Sequence, residues 1–420
     1  KVPPADQPPV DELNLEMLEQ LALVQNPALR QAAATVRQVR GVHQQVGLKP
    51  NPTVGYFGQE IGNDGSGGQH GGYVSQTWVR GQKLAWNRRV VAHELSATQW
   101  QARVQRQRIL TDLRIAYYDA LSAQLRLRLA EDFRVVAEKA VELATEKLEA
   151  QVGTRPDLLQ SEIQLSEIDL VIQRAKIEQS AALRQLAALC GVAGFGDAKV
   201  IGDFEGSGHL SGSSAADEEA ALADLLASSP ELAVARANVD RECANLQRQK
   251  RQPVPNLTTQ LGVGADDATG SAFTNVQMSL PIPVTNSNQG NIRAAGAAYS
   301  AAIQDVERIE ARLQSDLARV FGEYRGAKAV VENFRDQILP KAQAALELLQ
   351  AGKEAGEFDF LRVLTARRMY FDSNLQFVSA QAELAQAEAR IHGKLLAGGL
   401  NDGVRYSGED SLRGQALGGQ

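Results

Sequence analysis

Asn26-Pro27 opens a run of helix-forming residues that closes at Pro50-Asn51-Pro52, and Ser229-Pro230 opens another that closes at Pro253-Val254-Pro255. The three prolines recur at an offset of 203 residues. Each closing proline pair leads into a short alternating segment, a Gly/Asp-rich loop, a second alternating segment and a long helical tract. The chain therefore reads as two copies of one helix-strand-strand-helix unit. Pro27 suits a first helical turn, where its missing N–H has no bond to lose, and Pro50 and Pro52 stop that helix.

Outward from the prolines, Thr53 to Glu60 and Tyr73 to Arg80 flank the glycine-rich segment 61–72, which predicts a hairpin with strands at about 53–60 and 73–80. In the second copy, Leu257, Thr259, Leu261 and Val263, then Thr274, Val276, Met278 and Leu280, alternate with small or polar residues. They place strands at about 256–264 and 273–281. From Gln82 to Val152, 71 residues contain neither Gly nor Pro, enough for a helix of roughly 105 Å. After Gly153-Thr154-Arg155-Pro156 a second helix, Asp157 to Leu189, must fold back on it, giving a helical hairpin at about 83–190. Its counterpart at about 291–396 bends or breaks at Pro340, turns at Gly352 to Gly356 and returns from Phe358. This divides the chain into an arm (1–12), a first repeat (13–198), a Gly/Ser-rich linker (199–220), a second repeat (221–397) and a Gly-rich polar tail (398–420). A short helical segment through Leu13, Met17, Leu21 and Val24 begins the first repeat.

The return helices carry a 3,4 spacing. Leu165, Ile168, Ile172, Ala175, Gln179, Ala182, Leu186 and Leu189 follow it, and the first seven map at an offset of 205 onto Tyr370, Ser373, Phe377, Ala380, Leu384, Ala387 and Ile391. The second return helix has another such stripe, Leu375, Val378, Ala382, Ala385 and Ala389. Two seams per helix allow a closed ring of helices, whereas one allows only a pair.

Composition removes several functions. Net charge is -6, with 44 basic and 50 acidic residues interspersed, unlike a nucleic-acid footprint or a polybasic anchor. Cys190 and Cys243 stand singly, and His43, His70, His93, His209 and His392 share no ligand spacing, so no metal site or cofactor is expected. Only 3 methionines argue against a copper relay, and no Ser/His/Asp or Cys/His constellation supports an enzyme. The start at Lys1-Val2-Pro3-Pro4 carries no basic and apolar leader, as expected if a signal peptide is removed or was never present. No apolar run reaches the ~20 residues of a membrane helix, but strands of ~10 alternating residues also cross outer membranes. Four strands cannot close a barrel, which takes at least ~8, so membrane-spanning hairpins would need several chains. Trp78, Trp86 and Tyr73 are candidates for an interfacial aromatic belt, Trp86 equally for packing inside the helices.

The tandem plan, the tip Val152-Gly153-Thr154-Arg155-Pro156-Asp157-Leu158-Leu159 and its partner Gly356-Glu357-Phe358-Asp359-Phe360-Leu361-Arg362-Val363-Leu364-Thr365-Ala366 resemble the TolC-like outer membrane efflux proteins over residues 13 to 397. Ser75-Gln76, Gly81-Gln82-Lys83, Ser279-Leu280-Pro281-Ile282-Pro283 and Asn286 with Asn288-Gln289-Gly290-Asn291-Ile292 resemble the CzcC branch of heavy-metal efflux channels.

The resemblance implies a mostly α fold with a small β part: a homotrimer with a 12-stranded outer membrane β-barrel and a long periplasmic α-barrel. It implies a passive duct for heavy-metal cations, loaded by a periplasmic adaptor and an inner membrane resistance-nodulation-division pump. No phosphate loop is present, as suits a chain whose energy comes from the pump. The tips Val152, Gly153, Thr154, Gly356, Phe358 and Leu361 would meet the adaptor, with Gly153 and Gly356 ending helices. Arg155, Asp157, Asp359 and Arg362 would form a charged gate, although Asp157 equally suits a helix N-terminus. Drug-exporting relatives ring the entrance with acids, and Arg362 and Thr365 depart from that pattern. An exit duct for type I protein secretion or drug efflux is the alternative within transport. A soluble helical tether is the alternative outside it.

Overall fold

The computed structural model describes residues 12–62, 67–204, 217–354, 360–401, 403–406, 408 and 411–417. In chain order these form β1 (Glu12–Leu13), α1 (Leu15–Gln25), α2 (Pro27–Gln45), β2 (Thr53–Gln59), β3 (Gln69–Trp78), α3 (Lys83–Glu149), α4 (Arg155–Cys190), β4 (Lys199–Val200), α5 (Glu218–Ser228), α6 (Pro230–Arg251), β5 (Leu257–Asp266), β6 (Ser271–Ser279), α7 (Gln289–Asn333), a π-turn (Phe334–Ile338), α8 (Leu339–Glu354), α9 (Phe360–His392) and α10 (Ser411–Leu417). Two compact units result, and neither is a repeat: one joins residues 1–30, 104–229 and 312–403, the other 31–103, 230–311 and 404–420.

The first unit is helical. Asn26 is fully buried before Pro27; its side chain accepts from Ala28 N–H at 2.8 Å and donates to the Leu189 carbonyl at 2.7 Å. The proline start thus caps α2 and ties it to the end of α4. Around it Leu18, Ile109, Leu113, Leu121, Leu186 and Leu189 form the larger core. A second core holds Ile168, Ile172 and Phe371, whose ring stacks on Phe133 at 4.4 Å. The α4 stripe buries Ile168, Ile172, Ala175, Ala182, Leu186 and Leu189. Both stripes of α9 are engaged: Ser373, Ala380 and Ala387 are buried on one, Val378, Ala382, Ala385 and Ala389 on the other.

Three expectations change in this unit. The buried face of α1 is Leu18 and Ala22, whereas Val24 is exposed; Leu13 belongs instead to β1. That strand pairs in parallel with β4, so the linker opens as a strand. Gln124 brackets β4, accepting from Val200 N–H and donating to its carbonyl, both at 2.9 Å. At Pro340 the chain does not break. The π-turn ahead of it, closed by Leu339 N–H on the Phe334 carbonyl, widens the backbone where the proline cannot donate, and α8 continues.

The second unit carries a four-stranded antiparallel sheet in the order β2-β3-β5-β6. β3 occupies Gln69–Trp78 rather than 73–80, so Gly71 and Gly72 lie in the strand. A Cβ on Gly71 would stand 2.4 Å from the Val263 carbonyl oxygen and 2.5 Å from the Phe57 ring, so this glycine admits a neighbour rather than making a turn.

Beneath the sheet, the described residues of the segment read as a polar tail include α10. Thr35 Oγ1 donates to the Val404 carbonyl at 3.0 Å, Asn87 Nδ2 to the Leu412 carbonyl at 3.0 Å and Asn256 Nδ2 to the Ala416 carbonyl at 2.8 Å. Arg248, 1% exposed, donates to Asn87 Oδ1 at 2.8 Å, to Asn245 Oδ1 at 3.2 Å and to Gln415 Oε1. Burial lowers this guanidinium to a pKa of about 10. Buried Lys83 donates to Asn256 Oδ1 at 3.1 Å, and burial lowers its pKa too. Neutral amides thus satisfy both cations through hydrogen bonds.

Candidate functional site

The strand register sorts the sheet into two faces of different chemistry. Val54, Val74, Leu261 and Val276 stand across from one another, with Tyr56 and Val263 in the next row, and all are exposed. At the helix-proximal end Trp78 joins this face and donates from Nε1 to Thr259 Oγ1 at 3.0 Å. The opposite face is Thr53, Ser75, Gln260 and Gln277 in one row, then Tyr73 and Asn275, then Phe57 and Phe273, with glycines between. The aromatic rings lie over those glycines: Tyr73 covers Gly55, Phe57 covers Gly71, and Phe273 covers Gly264. Tyr73 is therefore on the polar face rather than in an apolar belt with Trp78. Trp86 lies in α3, with the Arg89 guanidinium 4.5 Å over its ring.

An exposed apolar face backed by a polar one is the pattern of a barrel wall between lipid and a wet lumen. Among the described residues β2 and β6 each pair on one side only, so both edges carry unpaired backbone groups.

The tip of the first hairpin is built by its backbone. Gln151 takes a left-handed conformation (φ 59), and Val152 N–H and Gly153 N–H both donate to the Lys147 carbonyl, at 3.0 and 2.9 Å. The residue with positive φ is thus Gln151, whereas Gly153 is needed for closeness, since a Cβ there would meet Lys147 Cβ at 2.9 Å. Thr154 then caps α4. The Asp157 carboxylate accepts from Thr154 N–H at 3.2 Å and from its hydroxyl at 2.6 Å. Asp157 is occupied locally, while Arg155 and Val152 point to solvent.

Gly356, Phe358 and Asp359 lie outside the described residues, as does the Leu361 side chain. Arg362 is exposed and lines a cleft of about 370 Å³ with Ala342, Ala345, Leu349, Thr365 and Met369. Of the four residues read as a gate, the described geometry thus places Asp157 in a cap and Arg362 on a cleft.

One surface was missed in the sequence. On α4, Leu159, Ile163, Leu170 and Ile177 are exposed, the last three at heptad spacing, Leu170 at 65% and Ile177 at 68%. The signal was present: subtracting 205 from the second stripe of α9 lands on Leu170, Gln173, Ile177, Ser180 and Arg184.

Among the described residues no three His, Cys, Asp or Glu side chains gather as metal ligands, and no helix is long and apolar enough to cross a membrane. Burial pushes the Cys190 thiol up to about 12.

The outer membrane efflux protein family matches residues 221–395. The chain is 24% identical over 283 residues to the cobalt-zinc-cadmium resistance protein CzcC of Cupriavidus metallidurans, a match covering 66% of this chain and 65% of that protein's length. The outer-membrane channel OprN has the same fold at a TM-score of 0.73 and 18% identity, over 92% of this chain and 90% of that one. CusC, solved in a study of folding and transmembrane channel formation, gives a TM-score of 0.70 at 18% identity, over 91% of this chain and 92% of its own. Residues 221–395 thus match the outer membrane efflux protein family, and the chain shares the fold of solved outer-membrane channels.

Proposed function

We propose that this chain is the outer membrane duct of a tripartite efflux system, working as a homotrimer that passes heavy-metal cations delivered by a periplasmic adaptor and an inner membrane resistance-nodulation-division pump. The observation that carries the reading is the sheet, apolar and exposed on one face, polar on the other and open at both edges. Four strands leave those edges unpaired in lipid, at several kcal/mol for each bare backbone group, so several copies must share one barrel; the resemblance to the TolC-like proteins makes that three copies and 12 strands. The exposed α4 seam supports the same assembly, because a neighbouring copy's helices would cover Leu170 and Ile177.

Cobalt, zinc and cadmium appear in the name of the CzcC relative, and that similarity supports metal cations as cargo. The helical tips then serve the adaptor: Val152, Gly153, Thr154, Gly356, Phe358 and Leu361 meet it, and Arg155, Asp157, Asp359 and Arg362 set the charge of the entrance.

Detergent extraction from outer membranes followed by native mass measurement tests the core of this reading. The expected mass is three times 45.3 kDa; a water-soluble monomer refutes the duct. In planar bilayers Arg362→Ala should raise the leak conductance, and an unchanged value removes Arg362 from the gate. Cysteines at Val152 and Thr154 should cross-link to a co-expressed adaptor; absence of adducts with a working pump assigns docking elsewhere. Loss of cobalt, zinc and cadmium tolerance in a deletion strain, restored by this chain, is the expected result for the cargo.

A further inference from the structure

The two strand-to-helix connections differ in length and chemistry. In the first repeat the 4 residues 79–82 separate Trp78 from Lys83, with Arg80 among them. In the second, 9 residues, Leu280-Pro281-Ile282-Pro283-Val284-Thr285-Asn286-Ser287-Asn288, separate β6 from α7. Leu280, Ile282 and Val284 are exposed, Ile282 at 76% and Val284 at 83%. They sit in a run of 25 uncharged residues, 268–292, that begins with the end of the β5-β6 turn and ends only at Arg293.

The segment is held at both ends. Thr258 pairs with Ser279, so Leu280 leaves the sheet at the level of Leu257, which itself pairs with Trp78. At the other end Asn288 Nδ2 donates to the Gln249 carbonyl at 2.9 Å and to Gln249 Oε1 at 2.8 Å, and Asn288 N–H donates to Asn286 Oδ1 at 3.0 Å. Val284 N–H turns back onto the Ile282 carbonyl at 2.9 Å around Pro283. An anchored turn therefore presents three apolar side chains outward.

A covering strand from a second copy would need backbone donors along 281–284, and Pro281 and Pro283 have none. A charged partner surface finds no charge to pair. A lipid surface requires neither, and the segment continues directly from the exposed apolar face of β6, at the end of the sheet where Trp78 stands as a residue type suited to the membrane boundary.

We propose that residues 280–284 form a membrane-interface foot, with Leu280, Ile282 and Val284 seated among the phospholipids of the leaflet nearest the helices. This rests on the reading of the sheet as a membrane wall. The foot fixes the depth of the second hairpin, whereas in the first repeat Arg80 and Lys83 follow the strand at once.

Nitroxide labels test the foot in the full chain reconstituted in phospholipid nanodiscs. Ile282→Cys, with Val284→Cys as an independent site, is labelled in a Cys243→Ser background where Cys190 stays buried. Collision with oxygen should exceed collision with a water-soluble nickel chelate at 282 and 284, as at Val276→Cys on the sheet face, and the order should reverse at Val152→Cys. A lipid signature at 276 with a water signature, or inaccessibility to both probes, at 282 and 284 overturns the foot while the membrane wall stands. A water signature at 276 removes the wall and the foot with it.

Discussion

α4 and α9 occupy equivalent places in the two repeats, yet only α9 finds cover for both of its seams within the chain. Its second stripe, Val378, Ala382, Ala385 and Ala389, is buried, while the matching positions on α4 leave Leu170 and Ile177 exposed. The outgoing helices show the same contrast. Ala116, Ala120 and Ala123 of α3 are buried, and 206 residues later Gly322, Gly326 and Ala329 of α7 are exposed, with nothing within 4 Å of a Cβ built on either glycine. The difference teaches that each chain makes one repeat-to-repeat junction internally and, under the proposed homotrimer, would carry the two unmatched halves of another. Small residues on one helix and Leu or Ile on the other are what close helix packing needs.

The largest test of this contrast is to poison the exposed seam. Leu170→Asp with Ile177→Asp should leave the helical circular dichroism unchanged and convert the proposed trimer to monomer by native mass spectrometry; a surviving trimer refutes the seam. The buried side should respond through stability instead. Phe371→Ala removes a stacked ring from the second core and should cost about 3–5 kcal/mol in a denaturant titration. Ala385→Leu overfills the internal junction and should cost about 1–3 kcal/mol, whereas Gly326→Ala on the exposed face should not destabilise the protomer.

At the tip, Asp157→Ala removes the capping carboxylate and should cost about 1 kcal/mol of helix stability. The smallest effect is expected at Asp119 on the internal junction, where it accepts from Gln386 Nε2 at 2.7 Å. Burial raises its pKa above 3.8, outweighing that hydrogen bond and the nearby Arg126 and Arg390. A carboxyl with a raised folded pKa costs nothing while protonated, and its contribution worsens as pH rises from 3.8 through the folded value. Asp119→Asn should therefore leave the melting temperature unchanged below that window and raise it slightly above; a fall at neutral pH contradicts the sign.

The repeat, the two hairpins and the α4 core stripe were legible because proline positions and 3,4 spacing are properties of neighbouring residues. What escaped the sequence depends on distant partners. Gly71 reads as loop until Phe57 is known to lie over it, and Tyr73 reads as belt until the register sets it opposite Gly55 and Gly262. Pro340 reads as a bend or a break because the π-turn that absorbs it leaves no mark in Phe334-Arg335-Asp336-Gln337-Ile338. Nothing in the sequence around Arg248 marks it as buried, because two of its acceptors, Asn87 and Gln415, lie 161 and 167 residues away.

The buried cations beneath the sheet also set an order of completion. The helical hairpin of the first repeat is tied by partners close in sequence, such as Arg134 with Asp169, 35 residues apart. Asn87 waits for Leu412 across 325 residues, and Asn256 waits for Ala416 across 160. Contacts of such separation form late, because the intervening chain must first be ordered. The sheet-bearing unit is therefore sealed by the final helix, and a chain shortened before residue 404 would keep its hairpins while leaving Lys83 and Arg248 without the amide and carbonyl lid that closes over them.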